Sequence, residues 1–197
     1  MKVLVACEFS GAVRDAILDL GYYAYSCDLL PGEGKYVDYH YQGDIRDILN
    51  SDWDLLIAHP PCTHLAVSGA RWFKEKEREQ QEALDFVRYL LDAPIKYIAL
   101  ENPVSIISSK ICKPDQIIQP WMFGDEATKT TCLWLKNLPP LQPTNVVGRG
   151  ERHVTKSGKS LPKWYNLPPS EDRAKKRSVT FPGIANAMAS QWTCWVS

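Results

Sequence analysis

The stretch KVLVACEFSG, residues 2–11, decides the fold of this 197-residue chain. It begins with Lys2–Cys7, a continuous apolar run of the type that is buried on both faces of a parallel sheet. A tight turn around Ser10-Gly11 follows, and Gly21 is the expected stop of the helix that comes after it. The apolar side of that helix is formed by Val13, Ala16, Ile17 and Leu20. The stretch therefore predicts the first strand, turn and helix of an alternating α/β unit.

Strand and helix patterns continue to alternate along the rest of the chain. Strands are predicted at Tyr22–Cys27, Val37–Tyr41, Trp53–Ala58, Ile95–Leu100 and Lys129–Leu135, and helices at Lys76–Asp92 and Gly183–Trp192. Such alternation predicts an α/β fold, a Rossmann-like doubly wound sheet with mostly parallel strands. The length suits a single domain over residues 1–197. Ligands bind such sheets at the carboxyl ends of the strands.

The composition excludes several classes of protein. Hydrophobic residues make up 45% and charged residues 23%, and no apolar run approaches the roughly 20 residues that cross a bilayer. The six cysteines are scattered, without the paired spacings of a zinc site or a disulfide framework. The first residues are typical of a strand and not of a secretion signal. We expect no membrane association, no metal and a cytoplasmic location, in a bacterial or phage-infected cell.

Basic charge is concentrated near the C-terminus, although the net charge of the chain is zero. Residues 149–177 contain nine lysines and arginines against three acids, so the rest of the chain is acidic. This asymmetry indicates a surface that binds a polyanion.

Three residues at successive strand ends predict a nucleoside-bearing cofactor. Gly11, in the first turn, lets backbone approach a ligand beside the free N–H groups of a helix N-terminus. Asp28 follows the second strand, where a carboxylate can accept hydrogen bonds from ribose hydroxyls. Asp44, after the third extended segment, can accept from an adenine amino group. Either acid alone is equally typical of a helix cap or a solvated loop.

The sharpest motif is Pro60-Pro61-Cys62, directly after a predicted strand. Two prolines stiffen the chain and fix where the cysteine side chain points. A cysteine displayed in this way can have a lowered pKa and act as a thiolate nucleophile. Glu101-Asn102-Pro103 follows a neighbouring strand, so Glu101 is expected near Cys62, because parallel strand ends lie about 5 Å apart.

The Phe-Ser-Gly turn, Pro-Pro-Cys and Glu-Asn-Pro, in that order, resemble the catalytic core of the cytosine-5 DNA methyltransferase family. The resemblance extends to Thr128–Leu135, in the place of the family's basic strand, and to Arg177–Thr180 with the helix after it. The Cys-Glu-Phe-Ser-Gly start and the Gly-Ile-Ala-Asn-Ala-Met-Ala-Ser-Gln-Trp ending are similar to those of small phage-encoded methylases. The resemblance implies a methyltransferase fold and S-adenosylmethionine as the cofactor.

The same resemblance implies roles for individual residues. Cys62 would add to carbon 6 of cytosine, Glu101 would stabilise the adduct through ring nitrogen 3, and Lys129 would hold the base oxygen or a phosphate. The expected cofactor-binding residues are Glu8, Phe9, Ser10, Gly11, Asp28, Leu29, Asp44, Ile45, Pro60, Ser178 and Val179. The implied reaction is methyl transfer to carbon 5 of cytosine in DNA, with the base flipped out of the duplex.

Residues 144–176 are far too short for the family's usual target-recognition domain, and we expect a basic loop there. The expected nucleic-acid contacts are Arg149, Arg152, Lys156, Lys159, Lys163, Trp164, Lys175, Lys176 and Arg177. Two alternatives stay open. The same thiolate chemistry can act on a free nucleotide, RNA or a modified pyrimidine, or the protein is a decoy that binds DNA or cofactor without catalysis.

Overall fold

The structure, a computed structural model, describes residues 1–67, 76–155, 157–162 and 173–197. Nine strands are present in this part of the chain: β1 (Lys2–Ala6), β2 (Tyr23–Asp28), β3 (His40–Gln42), β4 (Leu55–Ala58), β5 (Tyr97–Pro103), β6 (Gln116–Ile118), β7 (Thr131–Lys136), β8 (Arg152–Val154) and β9 (Ser160–Pro162). The α-helices are α1 (Ala12–Asp19), α2 (Glu77–Leu91), α3 (Ile107–Lys110), α4 (Arg173–Ser178), α5 (Pro182–Ala187) and α6 (Thr193–Val196), and a π-helical segment, Met188–Trp192, joins the last two.

A seven-stranded sheet in the order β3-β2-β1-β4-β5-β7-β6 forms the centre of the molecule. Strands β1 to β5 pair in parallel, and β7 runs antiparallel between β5 and β6. The strand order is that of a Rossmann sheet. The chain adds β2 and β3 on one side of β1 and then continues on the other side with β4, so the strand order reverses between β1 and β4. The predicted fold class, an α/β fold with a Rossmann-like doubly wound and mostly parallel sheet, is confirmed.

Two apolar layers cover the sheet because successive side chains of a strand point to opposite faces. Val3 and Val5 belong to the layer that includes Ile17 of α1 and Ile184 of α5. Leu4 and Ala6 belong to the opposite layer, with Leu84, Val87 and Leu90 of α2. Strand β1 is therefore buried on both faces, as its continuous apolar run predicts.

Several element predictions need correction. The predicted strand Val37–Tyr41 is instead a 3₁₀ turn over Val37–Tyr39 that leads into β3. The predicted last helix continues past Trp192 to Val196. Strand β6 and the pair β8 and β9 were not predicted, because three residues are too few to show a period of two. The described part of segment 144–176 thus contains a two-stranded antiparallel hairpin.

A buried arginine joins α1 to the loop after β2. The guanidinium of Arg14, which is fully buried, donates to the Ser26 hydroxyl (2.8 Å) and to the carbonyl of Glu33 (2.6 Å). It also pairs with Asp15 at 2.7 Å, and Ser26 lies 2.8 Å from Nδ1 of His40. These bonds hold the loop against the start of α1, where the site described below begins.

Among the described helices, none is long and apolar enough to cross a membrane.

We expect Arg14→Met to lower the free energy of unfolding by about 3 kcal/mol, because the carboxylate and hydroxyl partners of a buried charge stay behind without it. Urea denaturation followed by tryptophan fluorescence measures this loss. The matched control is Arg78→Met, which removes an exposed arginine paired with Glu82 and should leave the urea midpoint unchanged. Equal midpoints for the two variants would contradict a structural role for Arg14.

Candidate active site

The loop that carries Cys62 leaves the carboxyl end of β4 and is fixed by backbone contacts. The buried amide of Asn102 donates from Nδ2 to the carbonyl of Pro60 at 2.9 Å, which ties β5 to this loop. The N–H groups of Leu65 and Ala66 both donate to the carbonyl of Cys62, at 3.0 and 2.9 Å. The cysteine thus lies at a tight turn, with its side chain exposed.

Glu101 lies beside this loop and contacts His59. Its Oε2 is 3.2 Å from Nδ1 of His59, and both side chains are largely buried. Burial raises the pKa of Glu101, but the hydrogen bond and charge of His59, together with the charge of Lys129, more than offset it. The net result is a lowered pKa, so Glu101 is a carboxylate in the ligand-free protein.

The thiol of Cys62 differs from the sequence-based expectation. Its pKa is raised, first because neighbouring atoms screen it from water and second because of the negative charge of Glu101. Lys129 and Arg177 lower the pKa but do not outweigh these effects. The expected lowering of the pKa is therefore wrong for the ligand-free protein, in which Cys62 is a neutral thiol.

Lys129 and α4 lie against the same site. The ammonium of Lys129 donates to the carbonyl of Arg177 at 2.9 Å and lies 5.8 Å from the centre of the Phe181 ring. Its charge acts on both Cys62 and Glu101. The structure thus brings together the three predicted catalytic residues, two from strand ends and one from the segment before β7.

A cavity of about 250 Å³ lies at the carboxyl ends of β1 and β2 and is bordered by Pro61, the residue before Cys62. Four predicted cofactor residues line it: Asp28, Leu29, Asp44 and Ile45. Six further lining residues were not predicted: Cys7, Cys27, Gly43, Arg46, Pro61 and Phe86. Its volume is near the lower end of known ligand pockets, about 300 Å³. Apolar walls with two carboxylates fit a nucleoside, which needs both flat apolar contact and hydrogen-bond acceptors.

The two carboxylates of this pocket are held differently. Asp28 accepts from the N–H of Leu30 at 2.9 Å. Asp44 accepts from the N–H of Arg46 at 2.9 Å and from its guanidinium at 2.8 Å, and these bonds lower the pKa of Asp44 although slight burial opposes them. The Arg46 guanidinium also lies 5.3 Å from the ring centre of Phe86. Asp44 therefore caps a 3₁₀ turn and faces the cavity as well.

The N–H groups at the start of α1 are hydrogen-bonded within the protein. The carboxylate of Glu8, which is buried, accepts from the N–H groups of Val13 (2.7 Å) and Arg14 (3.2 Å). A Cβ on Gly11, which has φ +72°, would lie 2.1 Å from the Arg14 guanidinium and 2.7 Å from the Glu33 carbonyl. The predicted free N–H groups are thus bonded to Glu8, and Gly11 is needed for packing against Arg14.

The other predicted cofactor residues lie around this turn and below α4. Phe9 is buried, with the ammonium of Lys175 5.1 Å from its ring centre, and Lys175 also pairs with Glu33. The hydroxyl of Ser178 donates to the carbonyl of Lys175 at 2.7 Å. Helix α4 is thereby bound to the loop after β2.

Three more predicted positions complete the cofactor set. The hydroxyl of Ser10 accepts weakly from the N–H of Ala12, at 3.4 Å. Pro60 is buried below the Cys62 loop, and Val179, after α4, is half-buried. All three stay predictions as cofactor contacts.

Among the predicted nucleic-acid residues, Arg149 and Arg152 contact other residues of the chain. Arg149 stacks 5.1 Å from the Trp121 ring centre, and Arg152 donates to the side chain and the carbonyl of Ser160 across the hairpin. Lys159 and Lys176 are exposed. Lys156, Lys163 and Trp164 lie outside the described residues, and each of these positions stays a prediction.

A larger, shallow depression lies at the opposite, amino end of the sheet. It is lined by Lys2, Tyr23, Ser51, Asp52 and Trp53, and measures about 420 Å³. It lies at the wrong end of the strands for a ligand of this fold. In the described ranges, no group of three or more histidine, cysteine or acidic side chains is placed to hold a metal ion.

His59, Arg46 and Phe86 are the main site residues that the sequence analysis missed. His59 stands directly before Pro60-Pro61-Cys62, so its position at a strand end was a usable signal. Phe86 carries no such signal, because it belongs to α2 and reaches the cavity only through helix packing. The sequence around Arg46 carries no such signal either.

Comparison with solved structures finds matching chains, 55 in number. No protein-family model matches the chain, and no curated protein matches it. A crystal structure of a Spodoptera frugiperda DNMT2 mutant is similar, with 15% sequence identity and a TM-score of 0.40, over 75% of this chain. The match covers 54% of that protein, so the chain spans about half its length. The chemistry must accordingly be argued from the site itself.

We expect Glu101→Gln to speed alkylation of Cys62 by iodoacetamide at pH 7.5, and Lys129→Met to slow it, each severalfold. The first variant removes the charge that raises the pKa of the thiol, and the second removes a charge that lowers it. Peptide mass spectrometry measures the rate at each cysteine, and the exposed Cys112 and Cys194 serve as internal controls. A change in the same direction in both variants would show that charge does not control this thiol.

Proposed function

We propose that the protein is an S-adenosylmethionine-dependent methyltransferase that transfers a methyl group to carbon 5 of cytosine in DNA. The observation that carries this proposal is the position of Cys62, next to Glu101 and Lys129 and beside a pocket that fits a nucleoside. A nucleophile, a carboxyl group and a cation around one space suit covalent activation of a pyrimidine.

The reaction follows from the residues that surround this space. The Cys62 thiol gives its proton to solvent water and its sulfur adds to carbon 6 of cytosine, which makes carbon 5 nucleophilic. Glu101 contacts ring nitrogen 3 and stabilises the adduct, and Lys129 binds the base oxygen or a phosphate. S-adenosylmethionine supplies the methyl group when it is bound in the pocket lined by Asp28 and Asp44. Transfer of the carbon-5 proton to solvent water then releases the Cys62 thiolate by elimination.

The raised pKa of Cys62 has a place in this reaction. A thiol that stays protonated without substrate is protected from oxidation and alkylation. Lys129 and Arg177 already favour the thiolate electrostatically. Bound cytosine would shield Glu101 from the thiol, so deprotonation becomes easier once the base has entered.

A nucleic-acid chain is favoured over a free nucleotide because basic side chains lie on the same side as the site, and DNA is the substrate of the family that the motifs resemble. Lys175 and Arg177 belong to α4, whose Arg177 carbonyl contacts Lys129. A cationic helix next to the nucleophile suits a polyanionic chain with a flipped base. RNA, a free nucleotide or a modified pyrimidine would use the same thiolate chemistry, and a non-catalytic decoy would bind without it.

We expect the purified protein to convert cytosine in duplex DNA to 5-methylcytosine when S-adenosylmethionine with a labelled methyl group is added. Nucleoside mass spectrometry identifies the product. Cys62→Ala should abolish it, because no covalent adduct forms, and DNA with 5-fluorocytosine should trap the wild-type protein covalently.

The matched control for this experiment is Cys112→Ala, which removes another exposed cysteine and should keep full activity. Product formed by Cys62→Ala would refute the mechanism. Transfer of label to RNA or to a nucleotide, and not to DNA, would select the alternative substrates. Cofactor binding without any transfer would favour the decoy.

We expect Asp28→Ala to weaken binding of S-adenosylmethionine about tenfold, because a hydrogen bond to a charged group contributes roughly 1.5–3 kcal/mol. Isothermal titration calorimetry measures the dissociation constant. Asp52→Ala, at the depression on the opposite end of the sheet, should bind as the wild type does. Equal weakening in both variants would place the nucleoside elsewhere.

A further inference from the structure

Three buried titratable side chains lie at the carboxyl ends of three neighbouring strands. Glu8 comes after β1, His59 after β4 and Glu101 within β5. Glu8 is 4% exposed, and the side chains of His59 and Glu101 are 8% and 16% exposed. Burying charged groups is costly unless they are paired. Glu8 accepts hydrogen bonds from the first turn of α1, and the charge of Glu101 acts on Cys62. The imidazole of His59 has no comparable role.

The two ring nitrogens of His59 differ in their hydrogen bonding. Its Nδ1 lies 3.2 Å from Glu101, but its Nε2 is buried with no hydrogen-bond partner among the described residues. Its backbone N–H donates to the carbonyl of Ala6 at 2.9 Å, so the ring is anchored at the end of β4. An unsatisfied buried polar atom costs roughly 1–3 kcal/mol, and an apolar residue in this place would avoid that cost. A purely structural role therefore does not explain the imidazole.

His59 lies close to more than one carboxyl group. Glu101 contacts the ring directly, and the charge of His59 also acts on Glu8, whose pKa is raised by burial in spite of that charge. Other titratable or charged groups that act on these three residues are Arg14, Cys62, Lys129 and Cys132. Two buried carboxyl groups thus face one imidazole.

We propose that His59 is a positioning residue that fixes the charge and direction of Glu101 and supplies it with a proton when cytosine is activated; this inference rests on the proposed methyl transfer. Glu101 needs a proton on the oxygen that faces the base in order to donate to ring nitrogen 3. As an ionised carboxylate, it has none. The adjacent Nδ1–H of His59 is the nearest source on the described chain.

The step begins when the Cys62 thiol gives its proton to solvent water and becomes a thiolate. The electron pair of the Cys62 thiolate forms the bond between sulfur and carbon 6, and the electrons of the carbon 5–carbon 6 double bond move through carbon 4 to nitrogen 3. Nitrogen 3 takes a proton from Glu101, and Glu101 takes the proton of His59 Nδ1. When Cys62 is eliminated, the proton on nitrogen 3 returns to Glu101 and then to His59. No net proton is consumed by the pair.

The first test measures Glu101 itself and needs no methyl transfer. Carbon-13 NMR of the glutamate carboxyls gives the titration of Glu101 in the full chain, assigned by its loss in Glu101→Gln. In His59→Leu we expect its pKa to rise above the ordinary glutamate value, because burial remains and both contributions of His59 are lost. His153→Asn changes an exposed histidine and should leave this titration unchanged.

The second test separates proton supply from orientation. His59→Asn keeps a side-chain donor near the position of Nδ1 but cannot release a proton. We expect kcat to fall at least about tenfold with little change in KM for DNA, and the decline of kcat at alkaline pH, where the pair loses its proton, to disappear. Circular dichroism and a urea melt confirm that both variants are folded.

The outcomes distinguish this inference from the proposed function. An unchanged Glu101 titration in His59→Leu overturns the inference, whether or not the protein methylates DNA. An alkaline decline that persists in His59→Asn with undiminished kcat also overturns it. A wild-type protein that transfers no methyl group contradicts the proposed function, and the proton-supply part of the inference falls with it, whereas a shifted Glu101 titration would still establish that His59 controls the charge of Glu101.

Discussion

The register of three parallel strands is the constraint on which the site depends. Ala6 of β1 pairs with Ala58 of β4, and Ala58 pairs with Leu100 of β5, so these strands end at the same level. Neighbouring strands lie about 4.8 Å apart, and the residues that follow must therefore share one small space. A shift of one residue in any of these pairings would turn the functional side chain to the other face of the sheet. Full burial of the strands on both faces holds that register.

Electrostatic balance at these strand ends determines the charge of the Cys62 thiol. Burial and the carboxylate of Glu101 oppose ionisation of Cys62, while Lys129 and Arg177 favour it. In turn, His59 and Lys129 keep Glu101 ionised despite its burial. Each charge thus depends on its neighbours, and a bound pyrimidine would change all of them together. In the proposed reaction, the substrate would separate the thiol from the carboxylate.

The first turn and α4 show how the fold supports the pocket without lining it. Glu8 caps α1, and Arg14 anchors the loop after β2, so the turn around Gly11 is rigid before any ligand arrives. The pairing of Lys175 with Glu33 connects α4 to the same loop. Contacts from distant parts of the sequence thereby support the pocket lined by Asp28 and Asp44. Such preorganisation reduces the conformational cost of binding.

Apolar runs and turn residues in the sequence determined the fold class, the strand ends and the positions of Cys62, Glu101, Asp28 and Asp44. These features are local, because strand burial and proline stiffness act within a few residues. Tertiary structure alone decided the charge states and the partners. The raised pKa of Cys62 depends on residues 39 to 115 positions away, the N–H groups near Gly11 are taken by Glu8, and Phe86 reaches the pocket through helix packing. Electrostatic and packing energies depend on distances in space, which sequence spacing does not contain.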